Sequence, residues 1–352
     1  MAVRGPSPSP IPLPGGERDA KNRPAALPMH GGDLAAAAAR FGAPRQGWLD
    51  LSTGINPRPY PLPALPAECW SRLPGADLAL RQAAARHYGA GDPEAVVAAP
   101  GSQALLQLLP HLVPTGPVAI VGPTYGELSA VWRNAGRPLV EIAEPAAAPP
   151  EAAILVLANP NNPDGRRHQP ALLRDLAERL ARRGGLLILD EAFADPEPAL
   201  SLAAATGAPG LLILRSVGKF FGLAGLRLGF ALAAPPLAAA LRRALGPWPV
   251  SGPALAIGEQ ALGDTAWIAQ TRLDLRAGAR ALDAALARAG LGAASGCDLF
   301  RLVATDRAPA LAEHLGRGGI LVREFAERPD RLRFGLPGDE LPRLERALAE
   351  FT

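Results

Sequence analysis

Lysine stands at only two positions of this chain, Lys21 and Lys219, although lysine and arginine together number 36. Arginine serves wherever a generic cation suffices, so a lysine that persists points to chemistry that arginine cannot perform. Arginine stays protonated in proteins, whereas lysine can lose its proton and attack a carbonyl to form a Schiff base. Lys219 lies in LILRSVGKFFGLAGLRLGF (212–230), three residues after Ser216 and eight before Arg227. A hydroxyl and a bidentate guanidinium flanking an amine form a set that can hold phosphate. Lys21 lies in a proline-rich arm, where an ordinary solvated cation is explanation enough.

Four other clusters carry compatible chemistry. Gly101, Ser102 and Gln103 of PGSQ would open a helix whose N–H groups can bind phosphate, although most such pairs are simply capped turns. Tyr125 of PTYGE could stack on a flat ring or pack at a helix start. Asn162 of NPNNPDG could build a turn or offer its amide to a ring hydroxyl. Asp190 of DEAF ends an apolar run, where a carboxylate is costly to bury without a cationic or hydrogen-bonding partner.

Each cluster follows a short aliphatic run: AVVAAPG (95–101), PVAIVGP (117–123), AAILVLANP (152–160), GLLILDEAF (185–193) and GLLILRSVG (210–218). Longer helical patterns alternate with them, including QPALLRDLAERLARRGG and SQALLQLLPHL, the latter read as broken at Pro110. Runs buried on both faces predict a mostly parallel sheet, and ligands collect beyond the carboxyl ends of such strands. LRLGFALA (226–233) adds a strand. A helix over 265–289 then precedes shorter strands at 299–304, 319–325 and 331–336 and a closing helix. The expected organisation is α/β, a large domain with a mostly parallel central sheet flanked by helices plus a smaller C-terminal α+β domain. Its boundaries are a flexible arm over 1–28, a segment contributing to the active site over 29–60, the large domain over 61–245 and the small one over 246–352.

Composition narrows the class. An apolar fraction of 48% with 20% charged residues fits a soluble globular chain. The net charge of +3 is small, and basic residues are interleaved with acids as on a solvated helix face, which argues against a nucleic-acid partner. No apolar run reaches the roughly 18 residues of a membrane span. Cys69 and Cys297 fit no metal spacing and suit a reducing, cytoplasmic setting. The first 28 residues lack the continuous apolar core of a secretion signal.

Taken in order, PGSQ, PTY, NPNNPDG, DEAF and SVGKFFGLAGLRLGF resemble the fold-type I pyridoxal-phosphate enzymes, specifically the class I/II aminotransferase group, over about residues 30–350. The resemblance implies that Lys219 links the cofactor, Asp190 pairs with its pyridinium nitrogen and Asn162 bonds its ring hydroxyl. Tyr125 would stack on the ring, while Gly101, Ser102, Gln103, Ser216 and Arg227 would hold its phosphate. Arg333 of RLRFGL matches the arginine that grips the substrate carboxylate, and a homodimer with sites at the subunit interface is implied. Two positions depart from the pattern. Phe193 stands where a tyrosine usually follows the aspartate, and Leu73 where a tyrosine usually reaches the partner's cofactor phosphate.

The N-terminal region speaks to the reaction. MHGGDLAAAAARFG (29–42) followed by LDLSTGINPRPYP (49–61) is similar to the leading segment of the threonine-phosphate decarboxylase family of cobalamin biosynthesis. That likeness implies His30 and Gly31 over the active site against the substrate phosphate, Gly54 near the substrate, and Arg323 joining Arg333 on the anionic substrate. From the residues alone, His30-Gly31-Gly32 also reads as a hinge and Arg323 as a solvated strand residue. The implied activity is a carboxy-lyase acting on a phosphorylated amino acid. Histidinol-phosphate aminotransferase is the enzyme alternative. A cofactor-binding regulator is the non-enzyme alternative, but its DNA-binding domain has no counterpart in the short arm.

Overall fold

The β-branched and aliphatic runs become strands. Among the residues that the computed structural model describes, 30–351, these are β1 (Leu49–Leu51), β2 (Val96–Ala99), β3 (Val118–Val121), β4 (Leu139–Ile142), β5 (Ile154–Ala158) and β6 (Leu186–Asp190). They continue with β7 (Leu211–Ser216), β8 (Gly229–Ala233), β9 (Ser295–Cys297), β10 (Phe300–Ala304), β11 (Ile320–Glu324) and β12 (Arg331–Gly335). The arm read over residues 1–28, with Lys21, lies outside the described residues. From Gly31 onward the chain makes one compact unit.

Seven strands form a sheet in the order β2-β8-β7-β6-β5-β3-β4. From β4 to β7 all neighbours run parallel, and β8 runs antiparallel to both β7 and β2. Side chains of a strand point alternately to opposite faces, and here both faces are apolar. Leu155, Leu187, Leu189 and Ile213 enter one core, while Ile154, Val156, Ile188, Leu212 and Leu214 enter the other. The helix Pro170–Ala181 buries Leu173, Leu176 and Leu180 in the first core. The helices Ser102–Leu112, Gly126–Asn134 and Pro235–Leu245 close the second. The mostly parallel sheet expected from the sequence is therefore present.

A second sheet has the order β1-β11-β12-β10-β9. It is antiparallel except where β1, from the start of the described chain, lies parallel to β11. The helix Thr265–Arg288 precedes it, matching the span read from the sequence. One local reading changes: the helix Ser102–Leu112 runs through Pro110 instead of breaking there. Pro110 falls in the last turn, where its missing N–H costs one bond and interrupts nothing beyond it. Among the described residues no helix is long and apolar enough to cross a membrane.

Candidate active site

Because β8 reverses direction beside β7, the connection between them must turn at the carboxyl end of β7. Lys219 sits in that turn, on the four-residue helix Val217–Phe220. Its Nζ stands 5.5 Å from the centroid of the Phe193 ring, and its carbonyl accepts the Asn56 N–H at 3.0 Å. Loss of water lowers the amine from 10.5 to about 8, with help from the charges of Arg333 and Arg227 and against that of Asp190. An amine in that range is available as a nucleophile near neutral pH. Asp190 ends β6, with Oδ1 accepting the Ala192 N–H at 3.0 Å. Burial raises its pKa, and the Ala192 bond and the charge of Lys219 only partly offset this. A cationic N–H donor would settle such a carboxylate.

The neighbouring strand ends make a cradle. Gly101 has φ +86°, and a Cβ there would lie 2.8 Å from Arg227 Nη2. A Cβ on Gly229 would lie 2.3 Å from the Ser102 amide nitrogen, so glycine at both positions brings β8, Arg227 and the helix start together. Arg227 itself adopts the left-handed conformation, φ 52°. Its Nη1 donates to Ala224 O at 3.2 Å, and among the described residues no carboxylate pairs with it. Ser216 ends β7 and precedes the Lys219 helix without a side-chain capping bond. Gln103 directs its side chain to Glu127, Nε2 to Oε2 at 2.8 Å, leaving its backbone at the helix start. Tyr125 directly precedes the helix Gly126–Asn134. Its hydroxyl is pushed up to about 12 by burial and by the charges of Glu127 and Asp190, with Arg227 and Arg323 opposing. Those influences place Tyr125 among the same strand ends.

The second sheet brings two arginines to this region. Arg323 on β11 and Arg333 on β12 are direct register partners. Arg333 is buried, with Nη2 donating to Ser52 O at 2.7 Å and Nη1 to Asn162 Oδ1, while its Nε has no partner. Burial, then the charge of Arg323, lowers it to about 10. Arg323 is half-buried, its pKa lowered chiefly by burial, and among the described residues no carboxylate pairs with either guanidinium. The Arg333 guanidinium lies 5.1 Å from the Phe300 ring, which meets Phe193 edge-on at 5.1 Å. A Cβ on Gly54 would come within 2.8 Å of Phe193 and 3.0 Å of Phe300. Gly31 is as confined, with a Cβ reaching 2.3 Å from Ser52 O. His30 is exposed.

Sequence reasoning passed over the residues behind the site. Arg215, next to Ser216, donates to Glu191 Oε2 at 2.8 Å and to Asp195 Oδ1 at 2.9 Å. His87 Nε2 lies 2.9 Å from Asp195 Oδ1, and Ser201 Oγ donates to Glu191 Oε2 at 2.5 Å. This network fastens the ends of β6 and β7, which carry Asp190, Ser216 and Lys219. Charges at the ends of aliphatic runs, Glu191 after Asp190 and Arg215 before Ser216, were the available signal. Phe300 and Ser52 gave none, because their role depends on contacts distant in the chain.

A deprotonatable amine, a carboxyl in need of a cationic donor, an aromatic face and a cradle with an unneutralised arginine fit a phosphorylated pyridine aldehyde, pyridoxal 5'-phosphate. The comparisons agree. The family described as aminotransferase class I and II matches residues 71–351. A threonine-phosphate decarboxylase of Pseudomonas aeruginosa is 47% identical over 326 residues, 92% of this chain and 97% of that protein. One from Sinorhizobium sp. is 48% identical over 316 residues, covering 88% and 94%. The crystal structure of histidinol-phosphate aminotransferase from Sinorhizobium meliloti in complex with pyridoxal 5'-phosphate superposes with a TM-score of 0.74. It is 23% identical, covering 89% of this chain and 95% of that one, and so speaks for the fold.

Proposed function

The chain belongs to the class I and II aminotransferase family, and from that premise we propose that it decarboxylates L-threonine O-3-phosphate to (R)-1-amino-2-propanol O-2-phosphate with pyridoxal 5'-phosphate as cofactor. The observation that carries the reading is the facing pair of buried Arg333 and half-buried Arg323, neither paired with a carboxylate among the described residues, beside the readily deprotonated Lys219. Such a site suits an amino acid that carries a second anionic group. The two threonine-phosphate decarboxylases near 47% identity support the same substrate.

In this reading Lys219 takes the cofactor's aldehyde carbon, Asp190 its ring nitrogen and Asn162 its ring hydroxyl. Tyr125 lies against the ring, and Gly101, Ser102, Gln103, Ser216 and Arg227 hold the phosphate. When bound, the cofactor supplies an electron sink for the pair released as carbon dioxide departs. Asp190 keeps a proton on the ring nitrogen, and its own charge is settled in doing so. Arg323 and Arg333 would fix one anionic end of the substrate, with Gly31 toward the other. Held at both ends, the substrate would be fixed in one orientation of its Cα bonds. Gly54 leaves the space that Phe193 and Phe300 fill, and Phe193 presents an apolar ring beside Lys219. The Lys219 amine then carries the proton that Cα receives in place of the carboxylate. Phe193 offers no hydroxyl, so Asn162 alone would serve the ring hydroxyl.

The reaction belongs in cobalamin biosynthesis, where its product is the linker unit of the corrinoid side chain, and we place the enzyme in the cytoplasm. Free thiols at Cys69 and Cys297 suit that compartment. A homodimer is supported by apolar side chains on one stretch of surface. Trp70 and Leu73 are 71% and 69% exposed, and Trp248 lines a groove with Pro74 and Leu245. Exposed aromatic and aliphatic groups of this size mark an interface, and sedimentation of Trp70→Asp would reveal a monomer. The deciding experiment is incubation of the yellow holoenzyme with threonine phosphate. Carbon dioxide without keto acid is expected; nitrogen transfer from histidinol phosphate to 2-oxoglutarate would overturn the reading. Lys219→Ala should also lose the borohydride-trapped cofactor.

A further inference from the structure

Ser52 touches two parts of the site through different atoms. It is 2% exposed, and its carbonyl accepts Nη2 of Arg333 at 2.7 Å. Its hydroxyl accepts the Gly32 N–H at 2.7 Å and donates to Asp50 Oδ1 at 2.5 Å. The same Asp50 oxygen accepts the Ser52 N–H at 2.9 Å, so Asp50 holds both the hydroxyl and the backbone of Ser52. Gly31 lies against the Ser52 carbonyl so closely that a Cβ would reach 2.3 Å from it. Beyond the turn, the helix Leu34–Phe41 is capped by Asp33, and Arg40 Nη1 near its far end bonds Glu324 Oε2 at 2.6 Å, beside Arg323. The turn is thus fastened to both strands that carry the substrate arginines.

The acceptors on Arg333 are neutral, the Ser52 carbonyl and the Asn162 amide oxygen. Neutral acceptors aim a guanidinium without cancelling its charge, and the charge stays available for a ligand. We propose that Ser52 is a positioning residue that couples Arg333 to the Gly31–Gly32 turn, so that anion binding and seating of the turn strengthen one another. The inference rests on the reading that Arg333 holds the anionic end of the substrate. A displaced Ser52 peptide loses the arginine contact and the glycine seat together. Coupling of this kind is reciprocal, so an anion on Arg333 must also protect the turn.

The test uses the holoenzyme with inorganic phosphate as the probe. Hydrogen exchange at the Gly32 amide should slow on adding phosphate to the wild-type protein and remain unchanged in Ser52→Ala. Ser52→Ala should raise KM for threonine phosphate about tenfold, the worth of one buried hydrogen bond, with kcat changed less than twofold. Ser52→Thr should restore KM, and Gly31→Ala, which meets the Ser52 carbonyl, should reproduce the defect. Unchanged exchange in the wild type on adding phosphate overturns the coupling. So does a Ser52→Ala enzyme that loses cofactor affinity and kcat at unchanged KM, the mark of general damage. If the wild type fails to decarboxylate threonine phosphate, the proposed reaction falls while the phosphate-dependent exchange still decides the coupling.

Discussion

Two buried arginines about the same strand ends live by opposite rules. Arg215 is 2% exposed and its guanidinium is shared between Glu191 and Asp195, over the face of Tyr88 at 4.4 Å. Its pKa is raised by those two carboxylates, which outweigh its burial. Arg333 is 6% exposed and touches only neutral oxygens, and its pKa falls to about 10. A buried charge is costly unless it is paired. Arg215 meets that cost within the fold, whereas Arg333 has only neutral acceptors, the Ser52 carbonyl and the Asn162 amide oxygen, to meet it. Burial alone does not separate a structural cation from a binding one; the missing partner does.

The comparison is broken most directly by removing each guanidinium. Arg215→Leu leaves Glu191 and Asp195 buried and unpaired, and unfolding in urea should show a loss of about 3–5 kcal/mol. Arg333→Leu should leave stability unchanged or raised, since it removes an unneutralised charge, while kcat/KM falls about a hundredfold, as loss of a charge-assisted contact implies. If the two variants lose stability alike, the distinction drawn here is wrong.

Protonation sharpens it further. In apoprotein, aldehyde capture by Lys219 should rise with pH through a midpoint of about 8, because only the neutral amine reacts. Arg333→Leu should move that midpoint upward and slow capture at lower pH, since the charge of Arg333 helps depress the amine. His87→Ala, behind the sheet, should leave it in place. A smaller effect belongs to Asp195, whose pKa is lowered from 3.8 by Arg215 and His87, which outweigh its burial. A depressed carboxyl contributes stability above its unfolded pKa and loses it as pH falls. Acid unfolding should therefore steepen below pH 3.8, and Asp195→Asn should flatten that limb. The smallest change is Arg40→Ala, at about 0.5 kcal/mol, because the Arg40–Glu324 pair is partly solvated.

Much of the candidate site could be read along the chain because most of its residues lie at or just beyond the ends of aliphatic strands. Asp190, Ser216 and Lys219 needed only that rule and the chemistry of their side chains. The weaker strands escaped notice: β4 is a half-exposed edge of four residues, and β9 is Ser-Gly-Cys, with little aliphatic signal. The helices Leu78–Tyr88 and Gly252–Gly263 were likewise unannounced, the second because its apolar residues surround it instead of forming a stripe. The Phe193–Phe300 pair joins residues about 107 apart and Arg215 reaches carboxylates 20 and 24 residues away, contacts that no local pattern encodes. Gly54 was placed near the substrate by resemblance, and the clearance against both rings gives that glycine a physical reason.

The bond from Arg333 to the Ser52 carbonyl joins residues 281 positions apart. On a ribosome, every strand of the seven-stranded sheet has left the tunnel before β12 is made. The ends of β6 and β7 are therefore available to assemble while β11 and β12 are still to come, and the Ser52–Arg333 bond can form only afterwards. A polypeptide released before β12 would carry Lys219 and Asp190 but lack Arg333 and, with it, the guanidinium that binds the Ser52 carbonyl.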